Sequence, residues 1–325
     1  MNPTPLPPDP PPSMSRARFL RLAAASAAGL VIGAPARATP ASDATTLPRP
    51  TPTMHTRPIP VTGEPLPVIG CGTYIGFDVA RDSEQYQRLP DVLQALFGAG
   101  GAVIDSSPMY GRAEAVTGAL LAAAGSHDKA FVATKVWTRG RAEGIRQMEE
   151  SLRRLQVERL DLMQVHNLVD WQTQLATLRD WKAAGRVRYL GVTHYTAGAY
   201  DALEAVMRAE PLDFLQINYS LDEREAERRI LPLAAERGMA VLINRPFGGG
   251  GLLRRLRERP LPPWAADIGA TSWAQLLLKF VLAHPAVSCA IPGTSRPEHM
   301  ADNALAGIGE IPDQAFWNGR SLELT

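Results

Sequence analysis

The sequence lacks an excess of charge of either sign, since 34 Lys and Arg residues stand against 33 Asp and Glu, a formal net charge of +1. Electrostatic binding of nucleic acid requires a clustered basic face that releases counterions, so this balance excludes that class of function. Only two cysteines occur, Cys71 and Cys289, both in apolar surroundings and without CxxC or metal-ligand spacing. Neither a disulfide scaffold nor a metal site is expected.

The sequence also lacks the short motifs of several common enzyme classes. No G-x-S-x-G nucleophile elbow, no phosphate-binding Walker loop and no H-E-x-x-H zinc motif is present. Its apolar runs are too short for a stable transmembrane helix, which needs about 20 residues.

Proline is abundant and unevenly placed, with 16 of the 28 prolines within residues 1–67. Arg16, Arg18 and Arg21 precede an alanine-rich apolar run, and Ala36-Arg37-Ala38 follows it. This pattern predicts a signal peptide over residues 1–38, with a cleavage site after Ala38 and Met14 as an alternative start. Residues 15–21 resemble a twin-arginine export signal, although Ala17 separates the two arginines.

The proline content also predicts a disordered linker over residues 39–65, because proline cannot donate backbone hydrogen bonds. The predicted signal peptide makes the periplasm or another exported compartment the expected location. The alternative is an uncleaved tail on a cytoplasmic protein.

From residue 66 to residue 325 short apolar runs alternate with longer stretches of helical periodicity. The predicted strands are Val68–Gly72, Ala102–Asp105, Ala130–Lys135, Leu160–His166, Tyr189–Val192, Phe214–Ile217, Ala240–Ile243 and Ser288–Ile291. The predicted helices include Arg141–Leu155, Leu175–Ala184, Tyr200–Ala209, Glu223–Arg237 and Trp273–Ala283.

Eight strand–helix units predict an α/β fold, a single-domain (β/α)₈ TIM barrel, which typically takes about 250 residues. An open doubly wound sheet is less favoured, because no G-x-G-x-x-G follows the first strand.

Polar residues stand at the ends of successive predicted strands, where a barrel places its active site. Asp105, Lys135 and His166 would point to the same mouth, with Tyr110 a short loop away. A lysine ammonium beside a phenol favours the phenolate and is expected to lower the pKa of Tyr110. Asp105 would balance the charge of Lys135, and His166 could hydrogen-bond a substrate oxygen. The set predicts a tyrosine that protonates an oxygen as negative charge develops on it.

These motifs together resemble the aldo-keto reductases. The resemblance runs from about Leu66 to Asn303 and rests on the following segments: Gly70-Cys71-Gly72-Thr73, Asp105–Gly111, Ala133-Thr134-Lys135, Gln164-Val165-His166, Gly191-Val192-Thr193, Gln216–Ser220 and Ile291–Ser295. It implies reduction of aldehydes and ketones with NADPH, with Tyr110 as general acid and Lys135, Asp105 and His166 completing a catalytic tetrad.

Cofactor contacts are expected at several strand ends. Thr193, His194 and Gln216 offer groups that could grip a nicotinamide carboxamide, although the family usually has a Ser-Asn pair in place of Thr193-His194. Hydroxyls of Thr294 and Ser295 with the Arg296 guanidinium would suit a 2′-phosphate, which favours NADPH over NADH. The residues expected to bind the cofactor are Gly72, Thr73, Thr193, His194, Gln216, Arg245, Phe247, Gly293, Thr294, Ser295, Arg296, His299, Asp302 and Asn303.

Two positions depart from the family pattern. Asn244 stands near where an aromatic ring often stacks on the nicotinamide, and His299 stands where an arginine is common. Tyr74, Trp137 and Asn167 are expected to line the pocket for a small-molecule carbonyl substrate. The short segment after the last helix favours small or open-sited substrates.

Two other functions fit the same barrel. One is a cofactor-binding sensor or partner subunit with little or slow catalysis. The other is a hydrolase or aldolase that uses Lys135 as a Schiff-base nucleophile. The sequence does not determine the oligomeric state.

Overall fold

A computed structural model describes residues 53–324. The predicted signal peptide, 1–38, lies outside this range. The predicted linker, 39–65, lies partly outside it.

Eight parallel strands form one sheet in which sequential strands are neighbours. They are β3 (Cys71–Gly72), β4 (Val103–Asp105), β5 (Phe131–Val136), β6 (Leu160–His166), β7 (Val187–Thr193), β8 (Phe214–Asn218), β9 (Ala240–Asn244) and β10 (Cys289–Ala290). Parallel bridges between Ile69 and Ala290 and between Gly72 and Gly293 join the first of these strands to the last. The sheet therefore closes, which confirms the predicted (β/α)₈ barrel.

The helices surround the barrel. They are α1 (Glu84–Gly98), α2 (Ala113–Ala124), α3 (Arg141–Leu155), α4 (Trp171–Ala183), α5 (Tyr200–Ala209), α6 (Ile230–Glu236), α7 (Gly251–Leu256), α8 (Trp273–Leu282), α9 (Pro297–Leu305), α10 (Gln314–Trp317) and α11 (Arg320–Leu324). The helix predicted over Glu223–Arg237 begins only at Ile230. Pro232 thereby falls in the first turn of α6, where its missing N–H costs no intrahelical hydrogen bond.

The core has two layers. The larger one lies between the sheet and the helices, and the smaller one fills the barrel interior with residues such as Phe131, Tyr189 and Phe214. Cys71 belongs to the outer layer and Cys289 to the inner one, so the two free thiols lie on opposite sides of the closing strands. Burial raises the pKa of Cys71 to about 12, which makes this thiol unreactive.

An antiparallel hairpin of β1 (Thr56–Pro58) and β2 (Pro65–Pro67) precedes the barrel. The linker prediction is therefore wrong for residues 56–65. The Val68 N–H donates a hydrogen bond to the backbone carbonyl of His55, and the Ile59 N–H donates one to the backbone carbonyl of Glu64. By the alternation of an antiparallel ladder, Pro58, Pro65 and Pro67 fall in the non-hydrogen-bonded pairs, where no N–H is needed.

The hairpin closes the amino-terminal end of the barrel, since Ile59 and Leu66 are buried in its inner core layer. None of the helices between residues 53 and 324 is long and apolar enough to cross a membrane.

Candidate active site

The two-residue period of the strands places apolar side chains at one end of the barrel interior and polar ones at the other. On β4 Val103 is followed two residues later by Asp105, and on β5 Ala133 is followed by Lys135. The same alternation on β6, β7, β8 and β9 leads from buried apolar residues to Gln164, His166, Thr193, Gln216 and Asn244. Parallel pairing aligns these positions across the sheet, so the polar side chains converge at the carboxyl-terminal mouth.

Asp105 and Lys135 form a buried ion pair, with 2.5 Å between Lys135 Nζ and Asp105 Oδ2. Lys135 also donates to the Ser106 carbonyl at 2.7 Å. The other Asp105 oxygen accepts from Gln164 Nε2 at 3.1 Å and from Gln216 Nε2 at 2.8 Å. Burial lowers the pKa of Lys135, but the Asp105 carboxylate and Tyr110 outweigh burial and the net pKa is raised. Lys135 is therefore a fixed, buried cation at the carboxyl-terminal end of the barrel interior.

Tyr110 lies above this cation, with Lys135 Nζ 5.1 Å from the centre of its ring. Burial raises the pKa of Tyr110, the charge of Lys135 lowers it, and the net pKa lies above the ordinary value. The expected lowering is therefore wrong for the net pKa, because desolvation of the phenol exceeds the effect of the ammonium. At neutral pH Tyr110 is a protonated acid next to a cation that can stabilise its phenolate.

His166 lies beside Tyr110, with 6.0 Å between ring centres. Its Nδ1 shares a hydrogen bond of 3.0 Å with the Ser107 hydroxyl. Burial and the charge of Lys135 lower the pKa of His166 to about 3, so the imidazole is neutral across the physiological range. A neutral ring can position a substrate oxygen without competing for the proton on Tyr110.

A cavity of about 1150 Å³ opens at this mouth and contains Asp105, Tyr110 and His166 in its wall. Two of the three residues expected to contact substrate, Tyr74 and Asn167, line it. Trp137 does not line the cavity, but its ring lies 6.4 Å from that of His166. Among the described residues, most of the exposed large apolar side chains border this mouth, namely Tyr74, Ile75, Met109, Trp137 and Tyr195.

Most residues expected to bind the cofactor also line this cavity. They are Gly72, Thr73, Thr193, Gln216, Arg245, Phe247, Gly293, Thr294, Arg296, His299, Asp302 and Asn303. Gly72 and Gly293 meet where the barrel closes, and a Cβ on Gly72 would lie 2.9 Å from the Ile291 carbonyl oxygen. Gly248, Gly249 and Gly250 follow β9 with φ values of 56°, 63° and 87°, a left-handed turn that other residues rarely adopt.

Ser295 and His194 do not line the cavity. His194 Nδ1 accepts from the backbone N–H of Tyr195 at 3.0 Å, which places the proton of the neutral ring on Nε2. The Asp302 carboxylate accepts from Ser272 Oγ at 2.7 Å and from Gln275 Nε2 at 2.6 Å. Asp302 therefore joins α9 to the start of α8, so its first role is to hold these two helices together.

Five residues that the structure brings to the site are not among those predicted from the sequence. They are Ser107 and Gln164, which hold His166 and Asp105, and Asn244, Arg254 and Arg257 in the cavity wall. Gln164 could have been found, because it stands two residues before His166 on one strand and so shares its face. Asn244 donates to the His194 carbonyl at 3.0 Å, while its Oδ1 is buried without a partner. That oxygen is a free acceptor for a ligand.

Within residues 53–324, no cluster of three or more His, Cys, Asp or Glu side chains is arranged to hold a metal ion.

Comparison with known proteins agrees with this geometry. The model of the Aldo/keto reductase family matches residues 68–318. Methylglyoxal reductase YeaE of Escherichia coli (strain K12) is 30% identical over 246 residues, which cover 74% of this chain and 84% of that protein. Aldo-keto reductase YhdN of Bacillus subtilis is 29% identical over 213 residues, 61% of this chain and 63% of that protein. A crystal structure of an aldo-keto reductase from Klebsiella pneumoniae in complex with NADPH has a TM-score of 0.70 and 28% identity, covering 84% of this chain and 95% of that chain.

Proposed function

Because the chain belongs to the aldo/keto reductase family, we propose that it reduces aldehydes or ketones to alcohols with NADPH and that Tyr110 is the general acid. The observation that carries this proposal is the Tyr110–Lys135–Asp105 arrangement at the mouth of a large cavity. The solved Klebsiella relative in complex with NADPH supports the choice of cofactor.

The chemistry follows from charge and position. NADPH, when bound, supplies the hydride that a carbonyl carbon accepts. Negative charge then develops on the carbonyl oxygen, and the Tyr110 hydroxyl donates its proton to that oxygen. The resulting phenolate is stabilised by the Lys135 ammonium, which Asp105 holds in place. His166, neutral and fixed by Ser107, positions the oxygen before the proton moves.

The donors and acceptors of the cavity fit the cofactor. The unpartnered Asn244 Oδ1 suits the N–H end of a carboxamide, and the Thr193 side chain lines the same cavity. Arginines and glycine backbone N–H groups suit phosphates, and they lie on the segments after β9 and β10. Asn244 would thus contribute a hydrogen bond where related proteins often use a stacked ring.

The apolar rim of the cavity supports an uncharged organic carbonyl as substrate. Tyr74, Ile75, Met109, Trp137 and Tyr195 form this rim, and their apolar and aromatic surface favours apolar substituents on the carbonyl compound.

The direct test is an assay of the purified full chain with NADPH or NADH and a panel of aldehydes, ketones, diketones and quinones that includes methylglyoxal. We expect substrate-dependent loss of NADPH absorbance that is faster than with NADH. Binding of NADPH without turnover of any carbonyl would instead favour the sensor or partner-subunit function. Absence of NADPH binding would contradict the proposal.

We also propose that residues 1–38 direct export of this protein, on the sequence pattern alone. The test is fractionation of cells that express the tagged full chain beside a variant without residues 1–38. Export predicts a shortened product outside the cytoplasm for the full chain only. Full-length protein confined to the cytoplasm would contradict it.

A further inference from the structure

The arginines that line the cavity come from the segments that follow β9 and β10. They are Arg245, Arg254, Arg257 and Arg296, and His299 lines the cavity from the same part of the chain. The lining residues from β3 to β8 and from the segments after these strands, Gly72 to Gln216, include no Lys or Arg. A ligand that spans this cavity should therefore carry its negative charge at one end.

One of these cations is already paired. Arg245 lies 3.2 Å from Glu223, so its charge is largely balanced inside the protein. Arg254, Arg257 and Arg296, by contrast, have no carboxylate within ion-pair distance in the described part of the chain. Arg254 and Arg257 are both exposed at the cavity wall, which leaves their guanidinium groups available to a ligand.

Helix α7 and its carboxyl-terminal cap residue supply two of the arginines that line the cavity. Arg254 lies on this helix and Arg257 is its carboxyl-terminal cap residue, three positions further on and on the same face. The helix packs against α8. The start of α8 is tied by Ser272 and Gln275 to Asp302 on α9. Ala274 of α8 and His299 of α9 line the same cavity, so α7, α8 and α9 together form this wall.

A 2′-phosphate at this wall would need more positive charge than Arg296 alone supplies. The phosphate carries nearly two negative charges at neutral pH. His299 stands where the resembled family commonly has an arginine, so the segment after β10 supplies one guanidinium, that of Arg296, to the cavity wall. Resting on the proposed function, we infer that Arg254 and Arg257 bind the 2′-phosphate of NADPH together with Arg296 and set the preference for NADPH over NADH.

The test is the dissociation constant of each nucleotide, measured by fluorescence titration of the full chain without substrate. For the double variant Arg254→Ala/Arg257→Ala we expect the NADPH constant to rise about 30-fold, since charge-assisted bonds to phosphate are lost, and the NADH constant to change less than about threefold. The lysine pair, Arg254→Lys/Arg257→Lys, should recover part of the loss because it keeps the charge.

Arg255→Ala is the matched control. Arg255 belongs to the same helix but pairs with Asp222 at 3.0 Å and does not line the cavity, so both constants should stay unchanged. An unchanged NADPH constant in the alanine pair would overturn the inference. An equal loss for NADPH and NADH would also overturn it, since the arginines would then contact the shared pyrophosphate. Failure of the parent chain to bind either nucleotide would contradict the proposed function itself.

Discussion

Asp105 is the residue on which the geometry of the site depends. It accepts hydrogen bonds from Lys135, Gln164 and Gln216, and only 2% of its surface is exposed. Lys135 is fully buried, so its ammonium has exchanged water for this carboxylate and one backbone carbonyl. A buried charge that loses its partner is expensive, whereas removal of both charges costs much less.

This asymmetry gives a stability prediction. Asp105→Asn should lower the free energy of unfolding by about 3–5 kcal/mol, because the Lys135 charge is left unpaired. Adding Lys135→Met in the same chain should recover much of that loss, although both variants should be inactive. Urea denaturation followed by circular dichroism measures both effects. If the double variant were less stable than Asp105→Asn alone, the loss of stability in Asp105→Asn would not come from the unpaired charge of Lys135.

The pKa directions of two residues predict the pH dependence of carbonyl reduction. His166, with a pKa of about 3, keeps its neutral form as the pH falls through the usual imidazole range. Tyr110, with a raised pKa, keeps its proton until the pH rises above its ordinary value of about 10. We therefore expect kcat for a non-ionising aldehyde to be flat between about pH 5 and pH 9. A fall in kcat on acidification with a midpoint near the ordinary imidazole value of about 6.5 would show that His166 titrates there.

Among the secondary-structure elements, one end of the barrel contributes to stability and the other end carries the candidate active site. Each strand begins with side chains that fill the inner core, and several end in the polar groups of the site. The hairpin of β1 and β2 covers the first end, where Leu66 is 1% exposed, while the Val61 side chain in its turn region is 54% exposed. The hairpin should therefore contribute to stability and not to chemistry.

Leu66→Ala should lower the free energy of unfolding by about 2–5 kcal/mol, since it leaves a cavity in the inner core. Val61→Ala in the same hairpin should change it by less than about 0.5 kcal/mol. The kcat of both variants should match the parent when measured well below their urea midpoints. A large loss of kcat in a folded Leu66→Ala chain would contradict the separation of the two ends.

The strands and most helices could be predicted because apolar periodicity is a local property of the sequence. The bounds predicted for Arg141–Leu155 and Tyr200–Ala209 are those of α3 and α5. The hairpin could not be predicted in this way, since a high proline count normally opposes strand formation. Its prolines are tolerated only because the register places them in pairs that need no N–H, and register is not visible in composition.

At the scale of the whole molecule, the barrel brings together residues that are far apart in the sequence. Asp105, Lys135 and His166 could be picked out because the closed parallel sheet sends every strand end to the same mouth. Two properties could not be predicted from the sequence: the net pKa of Tyr110, and the hydrogen bond that the Asp302 carboxylate accepts from Ser272. Each depends on burial and on partners from other elements. Arg254 and Arg257 were likewise indistinguishable in the sequence from Arg255, which faces Asp222.

The even charge of the whole chain hides a strong local asymmetry. Exposed surface elsewhere carries many ion pairs, such as Arg141–Asp180 and Arg179–Glu210, whereas Arg254, Arg257 and Arg296 of the cavity wall have no carboxylate partner among the described residues. The small net charge therefore does not reveal the arginine-lined wall at which we propose that the phosphate of NADPH binds.

Proton donation from Tyr110 to the carbonyl oxygen is tested by Tyr110→Phe in a single-turnover experiment. The preformed complex of the variant with NADPH is mixed with an aldehyde that the parent reduces, and NADPH oxidation is followed by stopped flow. We predict that the NADPH dissociation constant stays within about threefold of the parent, while the rate of oxidation falls by about 10²–10⁴-fold, the range typical of a lost general acid. A Phe variant that binds NADPH and oxidises it as fast as the parent would show that Tyr110 is not the proton donor.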